Sequence, residues 1–289
     1  MGDDQLSFPV FWESLRSNKV FSVEHVGILL LLTSLNWMFE IRKWQVLSSY
    51  IRTNSLGASI RESLASFTAA IFTPSRIGEY GAKALYYPRG DRKKIIFLNF
   101  LGNSFQLLVS LVLGFIGLVY FFYHMPLPMG WYYLIGVALI LVSPFVLYRF
   151  LRKKTWKVQG YSLQSLSRAL QNLPQQIKWQ ALLFAGLRYL VFTHQFYYFL
   201  LIFGIQAPYL LLMAAIASMF FLSSIIPTLM IFDAIIKGGF GVWIFSFLGI
   251  DKMVVLVVVL AVWLLNFGLP ALIGSYFVLK YKPPRKVAT

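Results

Sequence analysis

The chain of 289 residues contains no cysteine and only three histidines, His25, His124 and His194, which lie far apart. Without thiols there is no disulfide framework, no thiolate metal site and no thiol nucleophile. The histidines show no ligand spacing, so metal-centred catalysis finds no donor set. Acids are scarce: ten Asp and Glu stand against 26 Lys and Arg, for a formal charge of +16. Charged residues are only 12% of the total, too few for a set of amphipathic helices in water. Also missing is the apolar–polar alternation in segments of about 10 residues that marks a membrane β-barrel. The opening "MGDDQLSFPVFWESLRSNKVFS" has acids where a secretory leader is basic, and no apolar h-region. Leu6 stands where an N-myristoylation signal needs Ser or Thr.

What the chain has is apolar length. Hydrophobic residues make up 58%, and the mean hydropathy is +0.70. Apolar runs at 26–44, 95–123, 131–150, 179–203, 208–229 and 253–279 approach or exceed the roughly 20 residues of a membrane-crossing helix. Weaker runs lie at 58–73, 76–88 and 231–249. The expected fold class is therefore an all-α polytopic integral membrane protein. The excess of positive charge is expected to face anionic lipid headgroups from cytoplasmic loops, and no nucleic-acid partner is expected.

Lys and Arg orient the runs. Arg42, Lys43, Arg52 and Arg61 follow the first, and Lys83, Arg89, Arg92, Lys93 and Lys94 precede the second. The connections "HMPLPMG" (124–130) and "GIQAP" (204–208) carry neither, whereas the 149–178 linker and the tail "KYKPPRK" are rich in both. The uncharged connections are placed outside, and the basic ones and the C-terminus in the cytoplasm. Segment 58–88 then enters and leaves on one side, as a re-entrant hairpin broken at "TPSRIG", with Pro74 and Gly78 as breakers. Segment 208–250 is expected to be a second hairpin, entered from outside and broken at Pro227; the competing reading is two ordinary spans.

The chain thus reads as one transmembrane domain over 1–289. Repeat 1 covers about 26–123. A linking span (131–150) and a cytoplasmic amphipathic linker (151–178) lead to repeat 2, about 179–279, of opposite orientation. Inverted repeats with broken helices near the bilayer middle are a transporter architecture.

Charges inside hydrocarbon cost about 2.5–3.5 kcal/mol each on insertion scales and normally face protein or water. Arg76 and Glu79 flank the first break, and Lys83 lies four residues beyond Glu79. They either meet a substrate anion, which an arginine can grip in bidentate fashion, or pin the hairpin as ion pairs. Asn99, Asn103, Gln106 and Ser110 recur at steps of four, three and four and form one polar stripe, lining a groove or bonding helix to helix. Arg188 and Gln195 share a face of the 179–203 run, with Arg188 deep enough to point into a central cavity. Asp233 and Lys237 are expected to form a structural i,i+4 pair, and Glu40 with Arg42 a headgroup-level anchor or helix pair.

The passage "TPSRIGEYGAKALYYPRGDRKK", followed by "IIFLNFLGNSFQLLV", resembles the signature of the lysylphosphatidylglycerol synthase transmembrane region. This is the flippase-like domain of the multiple peptide resistance factor and its stand-alone relatives. Pro74, Arg76, Gly78 and Glu79 match the Pro-x-Arg-x-Gly-Glu core, and Lys83, Leu85, Gly90 and Arg92 fit the family pattern just after that core. The second signature of that family, a Pro-Gly-Gly-x-Gly turn and an Arg-Glu, is not kept: Pro227 is present, but Gly238-Gly239-Phe240-Gly241 comes later. The resemblance implies a lipid flippase of the bacterial inner membrane, without the soluble aminoacyl-transfer domain of the two-domain relatives.

The expected function is accordingly movement of an anionic or aminoacylated phospholipid, or of a polyprenyl-phosphate-linked precursor, between leaflets. Arg76, Glu79, Lys83, Asn99, Asn103, Gln106, Arg188 and Gln195 would meet it, and Pro74, Gly78 and Pro227 would serve as hinges. The alternatives are an accessory subunit of a membrane-bound lipid or glycan enzyme, such as a glycosyltransferase partner, and an intramembrane enzyme, which lacks a nucleophile–base pair. A homo-oligomer is compatible with the first. No cofactor, metal or catalytic residue is expected.

Overall fold

Short polar residues and prolines start the helices of this protein. In the computed structural model, which describes residues 22–71, 73, 76–125, 157–158, 161–226 and 229–281, the Ser22 hydroxyl accepts from the His25 amide and opens α1, Val23–Ser48. Ser55 caps α2, Leu56–Ala70, in the same way through the Ala58 amide. After a break, α3 runs over Ile77–Leu85 and α4 over Arg92–His124. A two-residue antiparallel ladder pairs Lys157–Val158 with Tyr161–Ser162 ahead of α5, Leu163–Asn172. Pro174 and Pro208 stand immediately before α6, Gln175–Ile202, and α7, Tyr209–Ile225, where a missing N–H costs nothing. A single 3-10 turn, Met230–Phe232, leads into α8, Asp233–Ser246.

The last helix is interrupted. Asp251 caps α9, Lys252–Trp263, by accepting from the amides of Met253 and Val254. A π turn over Leu264–Gly268 then joins it to α10, Leu269–Leu279. Pro270 has no N–H for the carbonyl four residues back, so the Asn266 carbonyl is released. The Trp37 indole of α1 donates to it at 3.1 Å. The wider turn thus becomes a docking point for α1.

Three helix pairs dominate the packing between distant parts of the chain. α1 packs on α6, α4 on α7, and α10 on α2, while α2 with α3 and α7 with α8 form two helical pairs. Glycines permit the two cross-contacts. A methyl at Gly114 or Gly117 of α4 would sit 2.6 Å from the Cβ of Phe221 or Ala217 on α7. At Gly274 of α10 it would collide with the Leu64 carbonyl and the Thr68 hydroxyl of α2. One apolar core joins α6, α7, α8 and α9, and another joins α1 to α3 and α4. A third gathers Trp37, Phe67, Ala70, Met230 and Ala271 where both breaks converge.

The expected fold class holds in its coarser part: apart from the short ladder, the described chain is helical. Among the described residues two helices, Arg92–His124 and Lys252–Leu279, are long and apolar enough to cross a membrane. Only 17% and 33% of their most apolar stretches are buried within the chain. The expected linking span at 131–150, and Pro74 and Pro227, lie outside the described residues.

Candidate functional site

The break between α2 and α3 rests on an unusual backbone. Arg76 has φ 60° and ψ 27°, the left-handed region, and is the only non-glycine with positive φ among the described residues. Such a conformation costs a β-carbon-bearing residue about 1–2 kcal/mol and persists only where its surroundings hold it. They do so here. The Arg76 guanidinium pairs with Glu79 at 2.7 Å and lies over the Phe67 ring at 5.6 Å. Beside it the Gly78 amide donates to the Thr73 hydroxyl at 2.9 Å. A side chain at 78 would strike the Ala69 carbonyl, so glycine is required for the tight approach of α3 to the end of α2.

Behind Arg76 lies a buried chain of charges. The other Glu79 oxygen takes Lys83 at 2.9 Å, and Lys83 also donates to Asn99 of α4 at 2.7 Å and sits 4.3 Å from the Trp44 ring centre. Glu79 lies in the first turn of α3 and Lys83 in the last, the arrangement the helix dipole favours. A second group repeats the pattern. Glu40 of α1, 3% exposed, accepts from Lys43 at 2.7 Å and from Arg188 of α6 at 2.6 Å. Each carboxylate therefore holds one sealed lysine and one arginine.

Amide side chains extend this network across three helices. Arg188 Nε donates to Asn36 at 3.2 Å, and Asn36 donates to the Asn266 side chain at 2.7 Å. Asn266, on the π turn, donates in turn to Gln195 at 2.7 Å. Gln195 closes the chain on Thr33 and the Leu29 carbonyl of α1. Toward the 49–55 loop, Glu62 accepts from Trp44, Tyr87 and Asn54 and pairs with Arg52. Burial, and then the Glu62 carboxylate, push the Tyr87 phenol above its ordinary range, so it stays a neutral donor.

The two arginines open onto a cavity of about 340 Å³ between the two halves of the fold, within the size range of small-ligand sites. Its polar wall carries Arg76, Arg188, Asn36, Asn103, Gln106 and Tyr189. Ser110, Ser224 and Lys237 add further polar groups, and Phe192, Phe220 and Phe267 form an apolar side. Lys237 is paired with Asp233 at 2.6 Å and lies 5.2–5.6 Å from those three rings. Tyr189, only 6% exposed, has no hydrogen-bond partner for its hydroxyl among the described residues, nor have Arg76 Nε and Gln106 Oε1. Buried polar atoms in folded proteins are almost always paired, with protein or with water; three such atoms therefore stand on this wall ready to bond whatever fills the cavity.

Of the eight expected contact residues, Arg76, Asn103, Gln106 and Arg188 meet on this wall. Glu79, Lys83, Asn99 and Gln195 do not line it. They are sealed beneath, because their partners lie within the helix packing itself. Glu40 is corrected: it is no headgroup-level anchor but a buried link between α1 and α6. The expected Asp233–Lys237 pair is present, and its lysine also reaches the cavity. Lys43, Asn36, Tyr189 and Asn266 were not expected there. Thr33, Asn36, Glu40 and Lys43 recur at steps of three, four and three, a single face of α1 that the helical period marks. Among the described residues no three His, Asp or Glu side chains come together as a metal site.

No family model, characterised protein or solved structure matches the chain.

Proposed function

We propose that this protein is a multi-pass inner-membrane transporter that moves a lipid between leaflets, with the headgroup passing through the central cavity. The observation that carries the reading is that cavity: a polar wall of arginines and orphaned hydrogen-bonding groups faces an apolar wall, inside a chain with two helices long and apolar enough to cross a membrane that keep most of that apolar surface outward. A lipid has the same two-sided chemistry. An accessory or scaffolding role gives no account of buried polar groups left without partners.

Two further features support it. α2 and α3, about 22 and 14 Å long at a rise of 1.5 Å per residue, each fall short of a hydrocarbon core of about 30 Å. α7 and α8, about 26 and 21 Å, are short as well. The pairs therefore fit two re-entrant hairpins better than four spans. The matching contacts in the halves, α4 on α7 and α10 on α2, fit an inverted repeat about a pseudo-two-fold axis, and the basic tail "KYKPPRK" favours a cytoplasmic C-terminus. Rocking of one half against the other would expose the cavity to each leaflet in turn.

Reconstitution into liposomes carrying a fluorescent phospholipid in both leaflets tests the proposal. Wild-type protein makes the inner-leaflet pool accessible to a membrane-impermeant quencher. Arg76→Ala and Arg188→Ala each leave a neutral Lys–Glu pair behind, so no buried charge is stranded; in variants whose folding is verified by detergent unfolding, movement slows at least about tenfold, the loss of one charged hydrogen bond. Movement at wild-type rate in both variants, for every headgroup tried, sinks the proposal.

A further inference from the structure

We propose that the cavity selects a phosphate-bearing anionic group whose remainder is polar and uncharged, and rejects cationic headgroups such as aminoacylated ones. The inference rests on the reading of this cavity as the transport site. Three cations line the wall, Arg76, Arg188 and Lys237, and among the described residues no carboxylate does. Glu79 and Glu40 are sealed behind the wall and Asp233 stands beside Lys237 outside it, each already engaged: Glu79 with Lys83 and Arg76, Glu40 with Lys43 and Arg188, Asp233 with Lys237. Five cations against three carboxylates leave two positive charges over.

The sealed lysines decide where that excess appears. Lys83 and Lys43, at 1% and 2% exposure, have no route to the cavity, yet each neutralises a carboxylate that would otherwise cancel the neighbouring arginine. The arginines consequently present their charge to the cavity. Beside them, among the described residues, the Tyr189 hydroxyl and Arg76 Nε are donors without acceptors, and Gln106 Oε1 an acceptor without a donor. Tetrahedral phosphate oxygens match both needs, since they accept several hydrogen bonds and carry the compensating charge. An ammonium group in the same place finds neutral acceptors such as the Gln106 side-chain carbonyl, but it faces three cations and no carboxylate on the wall.

The test uses the purified full chain in neutral-detergent micelles, doped in turn with phosphatidylglycerol, its lysyl ester and phosphatidylcholine, with inorganic phosphate as the free-ion probe. Binding is read by displacement of a fluorescent phosphatidylglycerol. Phosphatidylglycerol is expected to bind at least about tenfold more tightly than the lysyl ester. Tyr189→Phe, which removes one oxygen and keeps the shape, weakens it about tenfold. Lys83→Met, never in contact with ligand, weakens it by a similar factor while phosphatidylcholine binding stays as it was; a merely structural lysine would not split the two. Competition by inorganic phosphate assigns recognition to the phosphate alone, and its failure assigns it to the lipid-borne group; either supports the inference.

Equal or tighter binding of the lysyl ester overturns it, as does phosphatidylglycerol binding that both substitutions leave intact. The two proposals fail separately. Selective binding without transbilayer movement removes the transporter reading and keeps this one, and movement that favours the lysyl ester does the reverse.

Discussion

Replacing Glu40 with glutamine probes the buried charge network most directly. The glutamine keeps the size of the side chain and removes its charge, leaving Lys43 and Arg188 without their shared carboxylate. The two cations are not equally harmed. Arg188 keeps its bond to Asn36 and borders the cavity, where water can solvate it. Lys43 is 2% exposed and has no other acidic partner among the described residues, so the cost falls chiefly on it. Removing one member of a buried pair typically destabilises by about 3–5 kcal/mol, because the surviving charge is uncompensated. Glu40→Gln is expected to lose that amount in reversible unfolding by a denaturing detergent. Adding Lys43→Met removes the stranded ammonium and should bring the double variant back to within about 2 kcal/mol of wild type, since an apolar replacement of a buried pair is often near neutral. A Glu40→Gln protein that unfolds within about 1 kcal/mol of wild type, or a second substitution that rescues nothing, would refute the network as drawn.

The glycine contacts give a second test. Gly274→Ala drives a methyl into the Leu64 carbonyl and the Thr68 hydroxyl, neither of which can step aside, and so parts α10 from α2; a loss of about 1–3 kcal/mol in thermal or detergent unfolding is expected. Gly186→Ala, whose new methyl meets no other helix within 4 Å among the described residues, should be neutral or stabilising by up to about 1 kcal/mol, and equal effects at the two sites would contradict the packing. The native absence of cysteine permits a third. Single cysteines at Asn103 and Ser110, on the cavity wall, should react with a water-soluble maleimide, while those at Leu101 and Leu118, 5% and 0% exposed, should not. Uniform reactivity along α4 would remove the cavity.

Much of the helical layout was legible because hydropathy and helix breakers act locally. The run at 95–123 became Arg92–His124, and the break at "TPSRIG" falls between Ala70 and Ile77. Of the expected stripe Asn99, Asn103, Gln106 and Ser110, the last three line the cavity, since a helical period is a property of one segment, while Asn99 turns to Lys83. What escaped was set by partners far along the chain. Lys43 stands beside Arg42 just past an apolar run, and a count of basic residues assigns both to the cytoplasmic face. That count is blind to which way a side chain turns: Arg42 is exposed, while Lys43, one residue on and so about 100° around the helix, is buried against Glu40. Tyr189 escaped for a related reason. Aromatic residues abound here as packing and interfacial groups, and nothing local distinguishes the one whose hydroxyl is left without a partner.

The same limit bears on Arg76. Glycine is the residue that a left-handed break calls for, and sequence reasoning that finds Gly78 two positions on places the break there. Instead Gly78 serves the close approach of α3 to α2, and the strained conformation falls on an arginine. The turn itself does not call for an arginine, so what distinguishes this position is the side chain. Its guanidinium is held between Glu79 and Phe67, with Nε left unpaired at the cavity, and Arg188 reaches the same space from the opposite half of the chain. Two arginines brought together by separate halves, each backed by a carboxylate that a buried lysine has already neutralised, form a positive wall that no single segment encodes. It exists only once α1 has packed against α6, and for that reason the charge of the cavity follows from the fold and not from the composition.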